Sequence, residues 1–497
     1  MRFARWLAMG LGWAVLVSLT AAVLVFAGRW VQVKLFPAPP EVVHGAEKAE
    51  YLAGLEPVDP QQAPNFVVIF FDDLGYGDLS SYGNQLIDTP RIDRLAQEGV
   101  RMTSFYSASP VCTPARAALL TGRYPVRSGT AAHVFFPDSM PLGTLRRMGG
   151  YPNELSKDEI TVAEALGAAG YATGMIGKWH LGALPDYWPN DFGFDSYYGV
   201  HWSNDMMPLH VYRNAEIEIE DTTDTSNPLG AFRDEDDKFE RTEGVDQTQL
   251  TRLYTEEAIQ FIEQHREEPF FLYLAHTAPH VPHFADPEHA GESEGGIYGD
   301  VVEDLDRSTG AIVDAIDRLG LADRTLVIVT SDNGPDYDGS PGGLRGRKGE
   351  TYEGGQRVPL IARWPGSIPP GQTTDAMGMN IDLFPTLLGL AGLTAPSDRV
   401  IDGRDLASVW ESGAPSPHPF LFYFPVMSED PDAVRDARFK YLAETGQPGR
   451  SKPTLTLVAT DAENHNLILR HPEEGKRLAG ALDEMRAEVE TNPRGWR

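Results

Sequence analysis

NFVVIFFDD, residues 65–73, decides how this chain folds. From Asn65 to Phe71 the run carries no charge, and it is β-branched and aromatic almost throughout. Such a run reads as a strand buried on both faces. It ends in two carboxylates, Asp72 and Asp73. The same grammar recurs along the chain. Residues 325–330 run into Ser331-Asp332-Asn333-Gly334, and residues 172–176 into Gly177-Lys178-Trp179-His180. Residues 270–274 run toward His276 and His280. Helical patterns at 90–98, 163–169, 256–264 and 301–319 lie between these runs. Alternating strands and helices predict an α/β fold, with a large, mostly parallel sheet sandwiched by helices. Ligands of such sheets bind outside the carboxyl ends of the strands. Asp72, Asp73, Lys178, His180, His280, Asp332 and Asn333 are therefore expected in one crevice.

After about residue 400 the pattern changes. Residues 421–425, 439–442 and 454–458 read as short strands. Leu478, Leu482, Met485 and Val489 recur at helical spacing within 475–491. This predicts a smaller C-terminal α+β subdomain, placed at 411–497. The main domain is placed at 63–410.

The N-terminus stands apart. Arg2 and Arg5 lie in a short cytoplasmic n-region, residues 1–6, ahead of an apolar run at 7–27. That run is roughly 20 residues, enough to span a bilayer as a helix and longer than the usual secretory h-region. It reads as an uncleaved signal anchor, with a cleaved signal peptide as the alternative. The chain then reads as membrane-tethered and extracytoplasmic, periplasmic or secretory. Residues 28–62 are expected as a linker, and the stretch 36–64, with six prolines, as a tether.

Composition narrows the functional classes. The net charge is −30, which argues against nucleic acid as a partner. The acidic stretches 216–224 and 234–240 read as solvated surface. One cysteine excludes an intrachain disulfide and thiolate-based zinc or iron–sulfur sites. That residue, Cys112, precedes Thr113-Pro114, which reads as an N-cap and first helical position, with Gly122 as the stop. Cys112 is thus expected just before a helix N-terminus, with Arg116 able to reach back to it.

Asp72, Asp73, Asp332 and Asn333 are hard oxygen ligands and suit Ca²⁺, with Mg²⁺ as the alternative. Arg116, Lys178 and Lys348 add cations, so the pocket with a divalent ion would carry about +2 and suit an anionic ester. His180 and His280 are candidate acid and base. His276 and His283 read as structural. A phosphate loop is rejected, because Ala172 stands at its first glycine and Trp179 follows the lysine. Trp202, Asn204 and Asp205 are expected to border the pocket.

These residues carry a resemblance. Pro110-Val111-Cys112-Thr113-Pro114-Ala115-Arg116-Ala117-Ala118-Leu119-Leu120-Thr121-Gly122 resembles the sulfatase signature built on Cys-x-Pro-x-Arg. Residues 170–180 resemble the second sulfatase signature. The stretch 65–75, Ala278-Pro279-His280, Ser331-Asp332-Asn333-Gly334 and residues 348–355 agree with the family in type and order. The segments Phe192-Gly193-Phe194-Asp195, Ser203-Asn204-Asp205 and 418–423 lean toward its arylsulfatase A-like branch. The C-terminal part departs from it, with Thr456-Leu457-Val458-Ala459 where many relatives carry Leu-Tyr-Asp-Leu.

The resemblance implies an alkaline phosphatase-like fold and hydrolysis of a sulfate monoester. It implies that a formylglycine-generating enzyme oxidises Cys112 to an aldehyde, whose hydrate has two hydroxyls. One would attack sulfur; the other would lose its proton, reform the aldehyde and expel sulfate. By resemblance Asp72, Asp73, Asp332 and Asn333 bind the metal, and Asp332 can take the attacking hydroxyl's proton. Arg116 and Lys178 steady the formylglycine oxygens, and His180 deprotonates the second hydroxyl. His280 and Lys348 hold the sulfate and protonate the leaving oxygen. A formylglycine-dependent phosphodiesterase or phosphonate monoester hydrolase is the alternative reading.

Overall fold

The computed structural model describes residues 2–35, 39–131, 133–221, 244–445, 450–458 and 463–497, without the side chains of 2–16 and 34. The acidic stretch 234–240 lies outside them. A ten-stranded mixed sheet runs through the main domain. The strand Asn65–Phe71 sits inside it, between Phe270–Ala275 and Thr325–Ser331, parallel to both. Ala172–Lys178 and Ser196–Val200 continue the parallel set on one side. Antiparallel neighbours extend the sheet on both sides, Leu360–Arg363 beside Thr325–Ser331 and Val211–Arg213 beside Ser196–Val200.

The uncharged run of the central strand has a direct cause. Phe66, Val68 and Phe70 enter one core, beside the helices Cys112–Thr121, Val162–Ala168 and Leu383–Leu390. Val67, Ile69 and Phe71 enter a second core on the other face, beside Leu250–Gln264, Gly296–Arg318 and Pro90–Glu98. Both faces are covered, so Phe66 to Phe71 are all apolar, and Asn65 at the strand's start is buried with its amide bonded to Thr325 Oγ1 and Phe270 N. This is the sandwiched sheet that the sequence predicts.

Register places the polar residues. Phe71 pairs with Ser331, so Asp72 and Asp73 emerge beside Asp332 and Asn333. Phe70 and Gly177 both pair with Ala275, so Lys178 leaves the sheet at the same level. Gly177 has φ +101°, and a Cβ there would lie 1.9 Å from the Ala275 carbonyl oxygen. Only glycine lets the strand pass at that point.

The C-terminal subdomain is a four-stranded antiparallel sheet with the helix Pro472–Thr491 against it. Its strand Ala433–Arg435 escapes sequence reading, because three residues with a terminal arginine show no alternation. A buried charge cluster joins the subdomain to the main domain. Glu353 takes Lys440 Nζ at 3.1 Å and the Tyr106 hydroxyl at 2.7 Å. Its own N–H donates to Glu463 at 2.7 Å. Burial pushes the Glu353 carboxyl up, but Lys440, Arg435 and Arg357 outweigh it and hold it down at about 2.

Two expectations change. The stretch 36–64 is not a free tether along its length. The helix Gly45–Ala53 docks on the main domain, with Lys48 on Glu164 at 2.5 Å and Tyr51, Leu52, Leu55 and Val58 against the first core. The N–H groups of Val43 and His44 bind Asp158. The second change is at the cysteine. The helix runs Cys112–Thr121 with Val111 at the cap, so Cys112 is its first residue. Thr113 does not cap it; its Oγ1 accepts from Phe135 N at 3.1 Å. Gly122, at φ +70°, ends the helix as expected.

Residues Arg2–Leu35 form one helix. Among the described residues no helix is long and apolar enough to cross a membrane. The first part of the run 7–27 lies outside the described side chains.

Candidate active site

Asp72, Asp73, Asp332 and Asn333 come together at the strand ends, all buried. Asp73 is in the left-handed region at φ 68°, which turns the chain back over the sheet end. Its N–H donates to Asp332 Oδ1 at 3.0 Å, and its Oδ1 accepts from Asn333 Nδ2 at 2.7 Å. Ligand atoms of Asp72, Asp73, Cys112 and His280 all lie within 4.8 Å of one another.

Cations ring the acids. Lys178 Nζ is 2.6 Å from Asp72 Oδ2, and Lys348 Nζ is 2.6 Å from Asp73 Oδ2. Arg116 Nη2 lies 3.1 Å from Asp332 Oδ2 and 3.5 Å from Asp72 Oδ1, while Nη1 donates to the Lys178 carbonyl at 2.9 Å. Arg116 thus points at the acids. Lys348 arrives on a loop tied to the cysteine loop by Gly349 N on Pro110 O, 2.8 Å.

The electrostatics follow from burial and like charge. Asp72 is held well below the usual carboxylate range, because Lys178, Arg116 and His280 outweigh the burial that raises it. Asp332 is pushed up to about 8, first by burial and then by the charge on Asp72. The site does not carry all its carboxylates ionised without further positive charge. Asp72 Oδ1 and Asn333 Oδ1 are buried with no hydrogen-bond partner. Spare hard oxygens under like-charge pressure fit a divalent cation. Burial pushes the Cys112 thiol up to about 12, so the unmodified thiol is a poor nucleophile.

The two expected histidines are placed differently. His180, at φ 59°, sets Nε2 against the Phe135 carbonyl at 2.9 Å. Its Nδ1 is buried and unpartnered. Burial, then Lys178, keeps the ring neutral. A carbonyl can only accept, so Nε2 carries the proton and Nδ1 is a free base. His280 lies 3.6 Å from Asp73 Oδ2, with Nδ1 on the Val281 carbonyl at 2.6 Å. His276 is buried between Phe71 and Tyr254, and His283 packs on Tyr298.

Sequence reasoning missed Ser203 and Asn380, and it placed Asn204 at the pocket without its role. Ser203 Oγ bridges Lys178 Nζ at 3.1 Å and His280 Nε2 at 3.4 Å. Asn204 is buried and clamps the His280 and Pro282 carbonyls at 3.1 and 3.3 Å. Asn380 fixes the cysteine segment through Ala108 N and the Ala115 carbonyl. Only the clustering of Ser203 and Asn204 in one segment hinted at this. Trp202 packs edge-on to His180.

A crevice with acids to hold a cation and cations to hold an anion defines a hydrolase of anionic esters. The sulfatase family model matches residues 64–393, and a model described as N-sulphoglucosamine sulphohydrolase, C-terminal, matches 347–440. N-acetylgalactosamine-6-sulfatase of Mus musculus is 41% identical over 391 residues, covering 74% of this chain and 70% of that protein. Arylsulfatase A of Homo sapiens is 39% identical over 404 residues, covering 79% and 76%. A solved Bacteroides thetaiotaomicron protein, described under metabolism of multiple glycosaminoglycans, superposes with TM-score 0.75 at 28% identity, covering 86% of this chain and 100% of that one. The chain belongs to the sulfatase family, hydrolases acting on sulfuric ester bonds.

Proposed function

We propose that this protein is an arylsulfatase-type enzyme whose Cys112 is matured to formylglycine and whose acids hold one Ca²⁺, with Mg²⁺ as the alternative. The observation that carries the reading is the setting of Cys112. It opens a helix, burial raises its thiol, and it lies against Asp72, Asp73 and His280 with Lys178 and Lys348 acting on it.

Asp72, Asp73, Asp332 and Asn333 would hold the ion, which supplies electrophilic pull on a sulfate oxygen. The matured residue 112 supplies a nucleophile with a built-in release step. Arg116 and Lys178 keep that side of the pocket positive. Lys348 holds the anionic ester from the loop opposite. His180 takes a proton at Nδ1, the nitrogen left free by the Phe135 carbonyl. His280, held by Asn204, moves a proton at Nε2 to the leaving oxygen, with Ser203 as its neighbour.

We also propose that the segment 7–27 anchors the protein in a membrane, with the body outside the cytoplasm, and that a formylglycine-generating enzyme is its maturation partner. The main domain is proposed at 63–410 and the C-terminal subdomain at 411–497.

The test is the mass of the Cys112 peptide from protein made in its own host, paired with turnover of soluble aryl sulfates and phosphodiesters. An aldehyde at 112 with preferred aryl sulfate turnover is expected. An unmodified thiol in active protein overturns the mechanism. An aldehyde with preferred phosphodiester turnover overturns the substrate class.

A further inference from the structure

Gln247 takes no part in the mechanism above, yet it is buried, only 6% exposed. Its Nε2 donates to the Asn204 carbonyl at 3.1 Å. Its Oε1 is buried and has no hydrogen-bond partner among the described residues. Asn204 repeats the pattern. Its Nδ2 donates to the His280 and Pro282 carbonyls, and its Oδ1 is buried and unpartnered among the described residues. Turning either amide over would set oxygen against carbonyl oxygen, so each orientation is fixed by what the nitrogen meets. A buried acceptor left unmet is a cost. Both amides bear that cost, so the N–H ends are what these two positions require.

The two amides form a relay from a rigid element to the acid site. Asp246 Oδ1 accepts from Thr248 N at 3.1 Å, and the turn Gln247–Gln249 leads straight into the helix Leu250–Gln264. That helix is seated in the second core by Leu250, Tyr254, Ala258 and Phe261. Asn204 has no such seat. Residues 203–207 follow the strand Ser196–Val200 and belong to no strand or helix. Met206 N bonds the Ser203 carbonyl at 2.9 Å, Ser139 Oγ bonds the Met207 carbonyl at 2.8 Å, and Gln247 bonds Asn204 between them. Ser203, next in the chain to Asn204, touches both Lys178 Nζ and His280 Nε2. A shift of this segment would therefore disturb His280 twice, at its carbonyl and beside its Nε2.

We propose that Gln247 is a positioning residue for His280 and acts through Asn204, holding Nε2 where the leaving oxygen forms. The kinetic consequence rests on the reading of His280 as proton donor given above; the relay does not.

Gln247→Met keeps the shape and removes the donor. Gln247→Glu keeps an acceptor and removes the donor. Both are expected to lower kcat for phenyl sulfate, a poor leaving group, by about tenfold, the lower end of the usual loss for a residue behind a functional group. Both are expected to cost 4-nitrophenyl sulfate, whose leaving oxygen needs less help from an acid, only about twofold, with KM unchanged for either ester. Equal losses on the two esters overturn the proposal. So does a Gln247→Glu enzyme that behaves as wild type, because Oε1 would then be the working atom. In an Asn204→Ala background, adding Gln247→Met is expected to lower kcat by less than about twofold more, since groups acting in series are not additive. A further loss of the full size overturns the route through Asn204. Spectra of protein carrying nitrogen-15 histidine read the relay without turnover, with the His280 ring assigned by its loss in His280→Gln. Both Gln247 variants are expected to move the His280 Nε2 resonance and to leave that of His418 in place. An unmoved His280 resonance overturns the relay. If the wild type hydrolyses neither ester while the resonance moves, the sulfatase reading fails and the relay stands.

Discussion

Lys348 and Asp73 are 275 residues apart in the chain, and their side chains meet at 2.6 Å. The pair brings a second lysine to the acids, beside Lys178 on Asp72. Asp73 sits on the central strand's turn, while Lys348 hangs from a loop bonded to the cysteine segment. The contact therefore joins the proposed ion site to the proposed ester site. Lys348→Ala should lower kcat/KM for a soluble aryl sulfate by about 10²–10³-fold, the usual loss for one preorganised charge at a developing anion. Circular dichroism and the melting temperature should change little. A loss below tenfold would remove Lys348 from the ester site.

Cys112→Ser tests the release step. Serine offers one hydroxyl, so it can accept a sulfuryl group and has no second hydroxyl to expel it. Intact mass after incubation with an aryl sulfate should show one retained sulfate group per chain and no sustained turnover. Sustained turnover by the serine variant would sink the proposed role of residue 112.

Calcium should stabilise the fold by relieving the pressure among Asp72, Asp73 and Asp332. At a free concentration about a hundred times the dissociation constant, the gain is about 2.7 kcal/mol. Thermal unfolding in chelator and then in excess Ca²⁺ reads it directly, and Mg²⁺ in a parallel scan ranks the two ions. Asp73→Asn should abolish most of the shift. A calcium shift of the same size in that variant would place the ion elsewhere.

Asp78 gives the fold a pH dependence of a stated sign. It accepts from Gly75 N at 2.6 Å, Ser340 N at 2.7 Å and the Tyr298 hydroxyl at 2.5 Å, stapling the turn after Asp73 to the loop before Lys348. Burial outweighs these bonds and raises its carboxyl from 3.8 to about 6. The folded state therefore holds this proton more tightly than the unfolded chain does. The stability it contributes is complete below about pH 4 and is lost as pH rises through about 6. The difference of about 2 units corresponds to about 3 kcal/mol. Asp78→Asn should flatten the slope of stability between pH 4 and 6, measured by urea unfolding. An unchanged slope would assign the dependence to other groups, of which Asp306, also raised to about 6, is the first to test.

The parts of the site legible in the sequence are those set by strand ends. A run covered on both faces must be uncharged, so the first charged residue after it marks the sheet's edge; Asp72, Asp332 and Lys178 are found that way. Residues that act through the backbone leave no such mark. Asn204 looks like a pocket-lining amide and is instead a clamp on the His280 carbonyl. Thr113 has the composition of a cap, but Phe135, 22 residues on, takes its hydroxyl. The prolines around 36–64 suggested a tether because the docking of Tyr51 and Leu52 depends on a core built from distant segments.

The Glu353 cluster makes the smaller subdomain inseparable from the larger one. Lys440 belongs to the C-terminal sheet, yet the carboxylate it neutralises sits five residues beyond Lys348. A chain cut after the main sheet would strand an ionised glutamate in a dry interior and unsettle the nearby lysine loop. Breaking a buried pair in this way costs about 3–5 kcal/mol, a large part of the stability of a typical domain. A shortened chain offered as a minimal enzyme would therefore need a neutral residue at 353, or it would be cleared as misfolded protein before it met a substrate.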